Sequence, residues 1–289
     1  MLFWKLNTRQ VLHFVLDYLA SIDSANGEER RLRIDQLLGP DSDWENPAAM
    51  MDTTKSIGVS PAATALRIEV EDLIAQLQVR RPDLVAKSEE SLYLEAMQYA
   101  TLARWLLNYH AALAQKSEPS KRIVQCLGLR DAMMADNLAY AVSRERGRGK
   151  VLAFAHNSHL KRGKAKWQLG SSALAWWPAG AHLSLIFGPS YAVIGTAVGV
   201  SLANGIGQPE AGTLEARLTG VPGPGRFIPT HKGQGLSASE IAALPERFAS
   251  KLNSTYFALT HQSFTDFDWL AVLDFTEYAR GGPQLAPRG

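Results

Sequence analysis

The chain has 289 residues, a length that fits one large domain or two small ones and allows a substantial hydrophobic core. It has 30 Lys and Arg residues against 28 Asp and Glu residues, and the resulting net charge of +2 argues against a protein that works by gripping nucleic-acid phosphates. Hydrophobic residues make up 46% of the chain and charged residues 20%, which excludes an intrinsically disordered protein. The single cysteine, Cys126, excludes an intrachain disulfide and a multi-cysteine zinc site, and it indicates a reducing compartment.

The N-terminal half is predicted to be helical, over about residues 8–146. Apolar residues recur there with a period of 3.6, and capping residues precede the periodic segments. Thr8 caps the first predicted helix, and Ser60-Pro61 opens another that Arg81-Pro82 ends. The predicted helices cover residues 8–22, 60–77, 88–109 and 130–146.

Short, almost continuous apolar runs from residue 147 onward predict strands buried on both faces. These runs cover residues 151–155, 191–196, 255–259 and 269–273. Strands mixed with helices indicate an α/β fold, with a mostly parallel central sheet flanked by helices and a large helical insertion in the N-terminal half. No repeat or sharp linker divides the sequence. We therefore expect one domain over residues 1–289, with a strand-rich catalytic half at about 147–275.

No segment has the pattern of a membrane span or of a targeting sequence. The longest uncharged stretch, residues 183–203, is broken by Gly188-Pro189-Ser190, so it predicts two buried strands. The apolar stretch at residues 11–20 is interrupted by His13 and Asp17, and no small-residue cleavage site follows it. We expect a soluble, cytoplasmic protein.

Two histidines follow the predicted strand at residues 151–155. Ligands of open α/β sheets bind at the carboxyl ends of strands, so His156 stands where a catalytic group is expected, with Asn157 and His159 beside it. An imidazole titrates near neutral pH and can take a proton from water and return it to a leaving group. We expect His156 to be at least partly buried. Two alternatives stay open: a strand-end histidine bonded to backbone, and a zinc site formed by the two imidazoles, although no glutamate follows the first histidine as in a zincin helix.

A basic loop comes directly after the histidines. Its cations are Lys161, Arg162, Lys164 and Lys166. Such a run predicts a solvated surface, and the alternative is contact with an anionic group.

At these residues the chain resembles the erythromycin esterase family, in a connected series of segments that extends over most of its length. Arg130 to Asn137 is similar to the family's Arg-Asp-x-x-Met-Ala-x-Asn, and the histidine segment is close to its Ala-His-Asn-x-His. The matching segments are Trp4-Lys5-Leu6-Asn7-Thr8, Arg130-Asp131-Ala132-Met133-Met134-Ala135-Asp136-Asn137, Ala155-His156-Asn157-Ser158-His159-Leu160, Gly180-Ala181-His182-Leu183, Tyr191-Ala192-Val193-Ile194-Gly195 and Phe267-Asp268-Trp269-Leu270-Ala271-Val272-Leu273.

The resemblance implies a hydrolase of a small-molecule ester or lactone, since named members open the lactone ring of macrolide antibiotics and so confer resistance. It implies that His156 is the general base on the attacking water and that His159 lies in the same cleft. It implies no metal and no cofactor. From the charge and hydropathy above we expect no nucleic-acid or membrane partner, and the sequence leaves the oligomeric state open. The substrate-binding residues that it implies are Arg130, Asp131, Asn137, Asn157 and His182.

One family motif is absent from this sequence. Members carry Gly-Glu-x-x-His-Gly near their N-terminus, and no such segment occurs here. The resemblance therefore implies an N-terminally truncated member that lacks a carboxylate and a histidine of a composite site, so we expect slow turnover of esters or lactones, or none. Two hypotheses follow: an esterase-type hydrolase that uses His156, and a non-catalytic member that keeps the scaffold and a ligand-binding cleft.

Overall fold

The structure is a computed structural model that describes residues 7–220, 223, 225–230, 238–248, 253 and 256–277. The chain divides into two compact units. The helical unit consists of Met1–Ala155 and Lys166–His182, and the sheet unit consists of His156–Ala165 and Leu183–Gly289. The single domain expected over residues 1–289 stays a prediction.

Helices and strands both occur in the described residues, which confirms the α/β class. In chain order they are α1 (Thr8–Ile22), α2 (Ser24–Leu38), α3 (Pro61–Val79), α4 (Arg81–Lys87), α5 (Glu90–Ala114), α6 (Pro119–Arg144), α7 (Asn157–Leu160), β1 (Ala165–Leu169), β2 (Ser172–Trp176), α8 (Ala179–Phe187), β3 (Ile194–Val200), α9 (Leu214–Thr219), β4 (Gly225–Pro229), α10 (Ala238–Ala242), α11 (Ser263–Asp266) and β5 (Trp269–Phe275). No helix among the described residues is both long enough and apolar enough to span a membrane.

The core of the helical unit forms around α5. This helix packs against α1, α3 and α6, while α2 packs against α1 and α3. The apolar stripes of α1 and α3 face this core, as their 3.6-residue period predicts. Strand β2 pairs with β1 and packs against α6.

The helix termini follow capping chemistry, with three corrections to the prediction. Asn7, and not Thr8, caps α1, because its side chain accepts the backbone N–H of Arg9. Ser60 caps α3 as predicted, but Arg81-Pro82 lies in the first turn of α4, where proline costs no hydrogen bond. Helix α6 begins at Pro119, eleven residues before the predicted start, and the Glu118 carboxylate caps it.

The central sheet of the sheet unit has the strand order β3-β5-β4. Strands β3 and β5 are parallel, with Ile194 opposite Trp269, whereas β4 runs antiparallel to β5. The parallel character that we predicted therefore holds for one of these two pairings. Alternate residues of β3 and β5 are buried against α9 and α11 side chains. A methyl group at Gly195 would lie 2.6 Å from the Phe267 ring, so only glycine fits this close approach.

Three of the predicted strands are corrected by the structure. Residues 151–155 form no regular secondary structure, and Leu152 and Phe154 are 93% and 94% exposed. An apolar run becomes a buried strand only where neighbouring strands and covering layers exist, and no described strand pairs with this one. The first part of residues 183–203 is helical, in α8, and β3 begins at Ile194. Residues 256–259 are irregular, and residue 255 lies outside the described residues. The strand at residues 269–273 is confirmed as β5.

Candidate functional site

His156 and His159 lie at the two ends of one helical turn. His156 is the N-cap of α7, with extended backbone angles (φ −61°, ψ 144°), and its carbonyl accepts the backbone N–H of His159 at 2.9 Å. The two rings lie edge to face with their centroids 6.5 Å apart, and the Phe257 ring lies 5.2 Å from the His156 ring. The motif therefore opens a short helix and does not end a strand. His156 is exposed, contrary to the expected partial burial, and His159 is half-buried.

The Nδ1 atom of His156 faces two groups of Ser158. The Ser158 backbone N–H donates to Nδ1 at 3.1 Å, and the Ser158 Oγ lies 2.7 Å from the same nitrogen. A backbone N–H is only a donor, so the cap holds Nδ1 as an acceptor, and the neutral ring then carries its proton on Nε2. The hydroxyl is both donor and acceptor, so it also suits a ring that is protonated at Nδ1. Ser158 thus faces Nδ1 with one group that requires an acceptor and one group that suits either tautomer.

Helix α7 is tied to β3 through Asn157. The carboxamide Oδ1 accepts the backbone N–H of Thr196 at 3.0 Å, and Nδ2 donates to the Thr196 carbonyl at 2.8 Å. Because the two backbone groups have fixed donor and acceptor roles, they also fix the orientation of the amide.

The residues that follow α7 are held by two aspartates. Lys161 forms an ion pair with Asp266 at 2.6 Å, and Asp266, which is 1% exposed, also accepts the backbone N–H of Gly163 at 2.7 Å. Arg162 pairs with Asp268 at 2.7 Å. Two cations of the predicted solvated loop are therefore structural anchors. Sequence reasoning missed the role of both aspartates, because each lies more than 100 residues from its partner. Asp268 stands in a segment that matches the family, but nothing in the sequence links it to Arg162.

Tyr191 adds an anchor at the end of the turn. Its hydroxyl donates to the carbonyl of Leu160, the last residue of α7, at 2.6 Å. Burial raises the pKa of Tyr191 to about 12, so the phenol keeps the proton that it donates. The histidine-bearing turn is therefore held at its start by Asn157 and at its end by Tyr191 and the two ion pairs.

Three of the residues proposed for substrate binding lie on α6 of the helical unit. Asp131 is fully buried and accepts the indole N–H of Trp176 from β2. Asn137 accepts from Gln98 at 3.0 Å and donates to the backbone carbonyl of Met133 at 2.9 Å. Arg130 is partly exposed. These contacts give Asp131 and Asn137 a structural role, and their roles in substrate binding stay predictions.

His182 lies in α8 and is half-buried. Over the described ranges, no group of three or more His, Cys, Asp and Glu side chains is placed to hold a metal ion. A surface hollow of about 510 Å³ in the helical unit, lined by Met51, Lys116 and Arg122 among others, contains none of the predicted site residues.

A sequence model of the erythromycin esterase family matches residues 5–274, which is nearly the whole chain. This chain belongs to the erythromycin esterase family. No curated protein matches its sequence. The chain is similar in fold to a protein from Bacillus cereus, with 16% identity, a TM-score of 0.65, and coverage of 93% of this chain and 64% of that one.

Two further solved structures have the same fold at low sequence identity. A mutant of the erythromycin esterase EreC in its open conformation is 15% identical, with a TM-score of 0.60 and coverage of 96% of this chain and 67% of that chain. A succinoglycan biosynthesis protein is also 15% identical, with a TM-score of 0.59 and coverage of 92% and 62%. The chain spans 64% of the length of the Bacillus cereus protein, which is somewhat less than two thirds.

Proposed function

We propose that this chain is a hydrolase of esters or lactones and that His156 transfers the proton. Membership of the erythromycin esterase family supports the reaction class. The observation that carries the proposal is the turn that presents His156 and His159 together, anchored at both ends to the sheet unit. Groups held in place before the substrate arrives lose little freedom in the transition state.

The reaction places specific demands on the His156 ring. Nε2 removes a proton from water, the hydroxide adds to the carbonyl carbon, and the proton passes to the alkoxide as the C–O bond breaks. For Nε2 to accept a proton, the neutral ring must leave the tautomer that the cap holds: the Ser158 backbone N–H gives up its bond to Nδ1, and Nδ1 then carries the ring's proton. Ser158 Oγ, at 2.7 Å from Nδ1, is the acceptor for that proton. The Ser158 hydroxyl thus supplies the role that a carboxylate has in a catalytic triad, at lower strength because it is neutral.

The test compares hydrolysis of p-nitrophenyl esters and of a macrolide lactone by the parent chain and by His156→Gln/His159→Gln. The matched control is His261→Gln, because His261 is exposed and lies outside α7. The sequence contains no Gly-Glu-x-x-His-Gly segment, so we expect slow turnover by the parent. We expect the double variant to be slower still, by about 100-fold or more, and the control to match the parent. Equal rates for the parent and the double variant would contradict the proposal.

A further inference from the structure

The side-chain amide of Asn157 hydrogen-bonds to the backbone of β3 as the peptide group of a neighbouring strand would. Its carboxamide contacts a single residue, Thr196, through three hydrogen bonds: Thr196 N–H to Oδ1 at 3.0 Å, Thr196 Oγ1–H to Oδ1 at 3.1 Å, and Nδ2–H to the Thr196 carbonyl at 2.8 Å. In the sheet as described, β3 is an edge strand, and its outward N–H and C=O groups need partners. A carboxamide has the donor and acceptor of a peptide group, so it satisfies both.

These contacts use most of the hydrogen-bonding capacity of the side chain. Both lone pairs of Oδ1 and one of the two Nδ2 hydrogens are directed at Thr196. Asn157 is also the first residue of α7 and is covalently bonded to His156. A shift of Asn157 along β3 would therefore also shift the backbone of His156, which carries the imidazole ring.

We infer that Asn157 is a positioning residue, which fixes the His156 ring by clipping the start of α7 to the edge of β3, and not a substrate-binding residue. This inference rests on the proposed hydrolase function for its kinetic consequence, whereas the clip itself is tested without any substrate. A misplacement of about 1 Å at a reacting group costs about 100-fold in rate, so the loss of the clip lowers kcat. It leaves KM nearly unchanged, because Asn157 does not hold the substrate.

The clip is tested by amide hydrogen exchange in the full chain. In Asn157→Ala we expect the Thr196 amide to exchange about tenfold faster than in the parent, since it loses its acceptor. In Asn157→Asp the Oδ1 acceptor is kept, but the second carboxylate oxygen faces the Thr196 carbonyl, so we expect the Thr196 amide to exchange at a rate between those of the parent and of Asn157→Ala. The Val272 amide on β5, a buried position, reports the integrity of the sheet in every variant. The inference would be wrong if the Thr196 amide exchanged at the same rate in Asn157→Ala and in the parent while Val272 stayed protected in both.

The positioning role is tested by steady-state kinetics on a p-nitrophenyl ester. Asn157→Ala is expected to lower kcat about 100-fold at unchanged KM, and Thr196→Val, which loses only the Oγ1 bond, to retain most of the rate. A raised KM at unchanged kcat would overturn the inference in favour of substrate binding. If the parent itself shows no turnover dependent on His156, the proposed function fails, and with it the kinetic role of Asn157. The hydrogen-exchange experiment then still tests whether Asn157 protects the Thr196 amide.

Discussion

Replacing Asp266 by Ala removes the buried carboxylate that anchors the chain after α7. Asp266 is 1% exposed, while the side chain of its partner Lys161 is 17% exposed. The substitution deletes an ion pair of 2.6 Å and a hydrogen bond of 2.7 Å from the Gly163 backbone. It leaves an ammonium group and a backbone N–H with little access to water.

The expected loss of unfolding free energy is about 3 to 5 kcal/mol, the usual cost of removing one partner of a buried ion pair. The loss of the ion pair alone accounts for about 3 kcal/mol, the lower end of this range, because the Lys161 side chain is partly exposed to water. Asp266→Asn keeps an acceptor for Gly163, so it is expected to cost about 2 kcal/mol less than Asp266→Ala. Lys161→Met in the Asp266→Ala background removes the stranded charge and is expected to restore part of the loss.

Equilibrium urea unfolding followed by circular dichroism measures these differences. The thermodynamic cycle of Lys161→Met and Asp266→Ala gives the coupling energy between the two side chains. A loss below about 1 kcal/mol for Asp266→Ala, or costs that simply add in the double variant, would refute the claim that this pair anchors the turn.

Three substitutions test interactions within the helical unit. Burial lowers the pKa of His110 from 6.5 to about 4, so the unfolded chain binds the proton more tightly. The contribution of this residue to the free energy of unfolding is complete above about pH 6.5, and up to about 3 kcal/mol of it is lost as the pH drops to 4. The urea midpoints measured at pH 7 and pH 4.5 should therefore differ less in His110→Phe than in the parent. Trp176→Phe removes the indole N–H from the buried Asp131 and should cost about 1.5 to 3 kcal/mol, measured at pH 7. Gly58→Ala should lower Tm by several degrees in a thermal melt, because its Cβ would lie 2.0 Å from the His110 carbonyl oxygen.

The helices could be predicted because their signals are local. The apolar stripe of α1 and the Ser60-Pro61 cap of α3 each occupy adjacent residues of the sequence. The start of α6 was missed although Glu118-Pro119 is a cap followed by a first-turn proline, so the signal was present. The run at residues 151–155 carried a clear apolar signal, but its burial depends on neighbouring strands, which a local pattern does not contain.

In the candidate site, too, only the features that lie close together in the sequence could be predicted. His156 and His159 are adjacent in the motif, and their juxtaposition needed only one turn of helix. Asp266 lies 105 residues along the chain from its partner Lys161, and Thr196 lies 39 residues from its partner Asn157. Only the folded chain therefore shows their roles. The sequence also placed Asn157 in the site but assigned it to substrate, whereas its contacts lead to the strand edge.

The hydrolysis that we propose depends on the imidazole of His156, which transfers the proton. The most direct test is the ratio of kcat/KM between the parent and the single variant His156→Gln on one p-nitrophenyl ester at pH 7.5, with His261→Gln as the matched control. We expect a ratio of about 100 or more for His156→Gln and of about 1 for the control. A ratio near 1 for His156→Gln, with turnover present in both proteins, would contradict the claim.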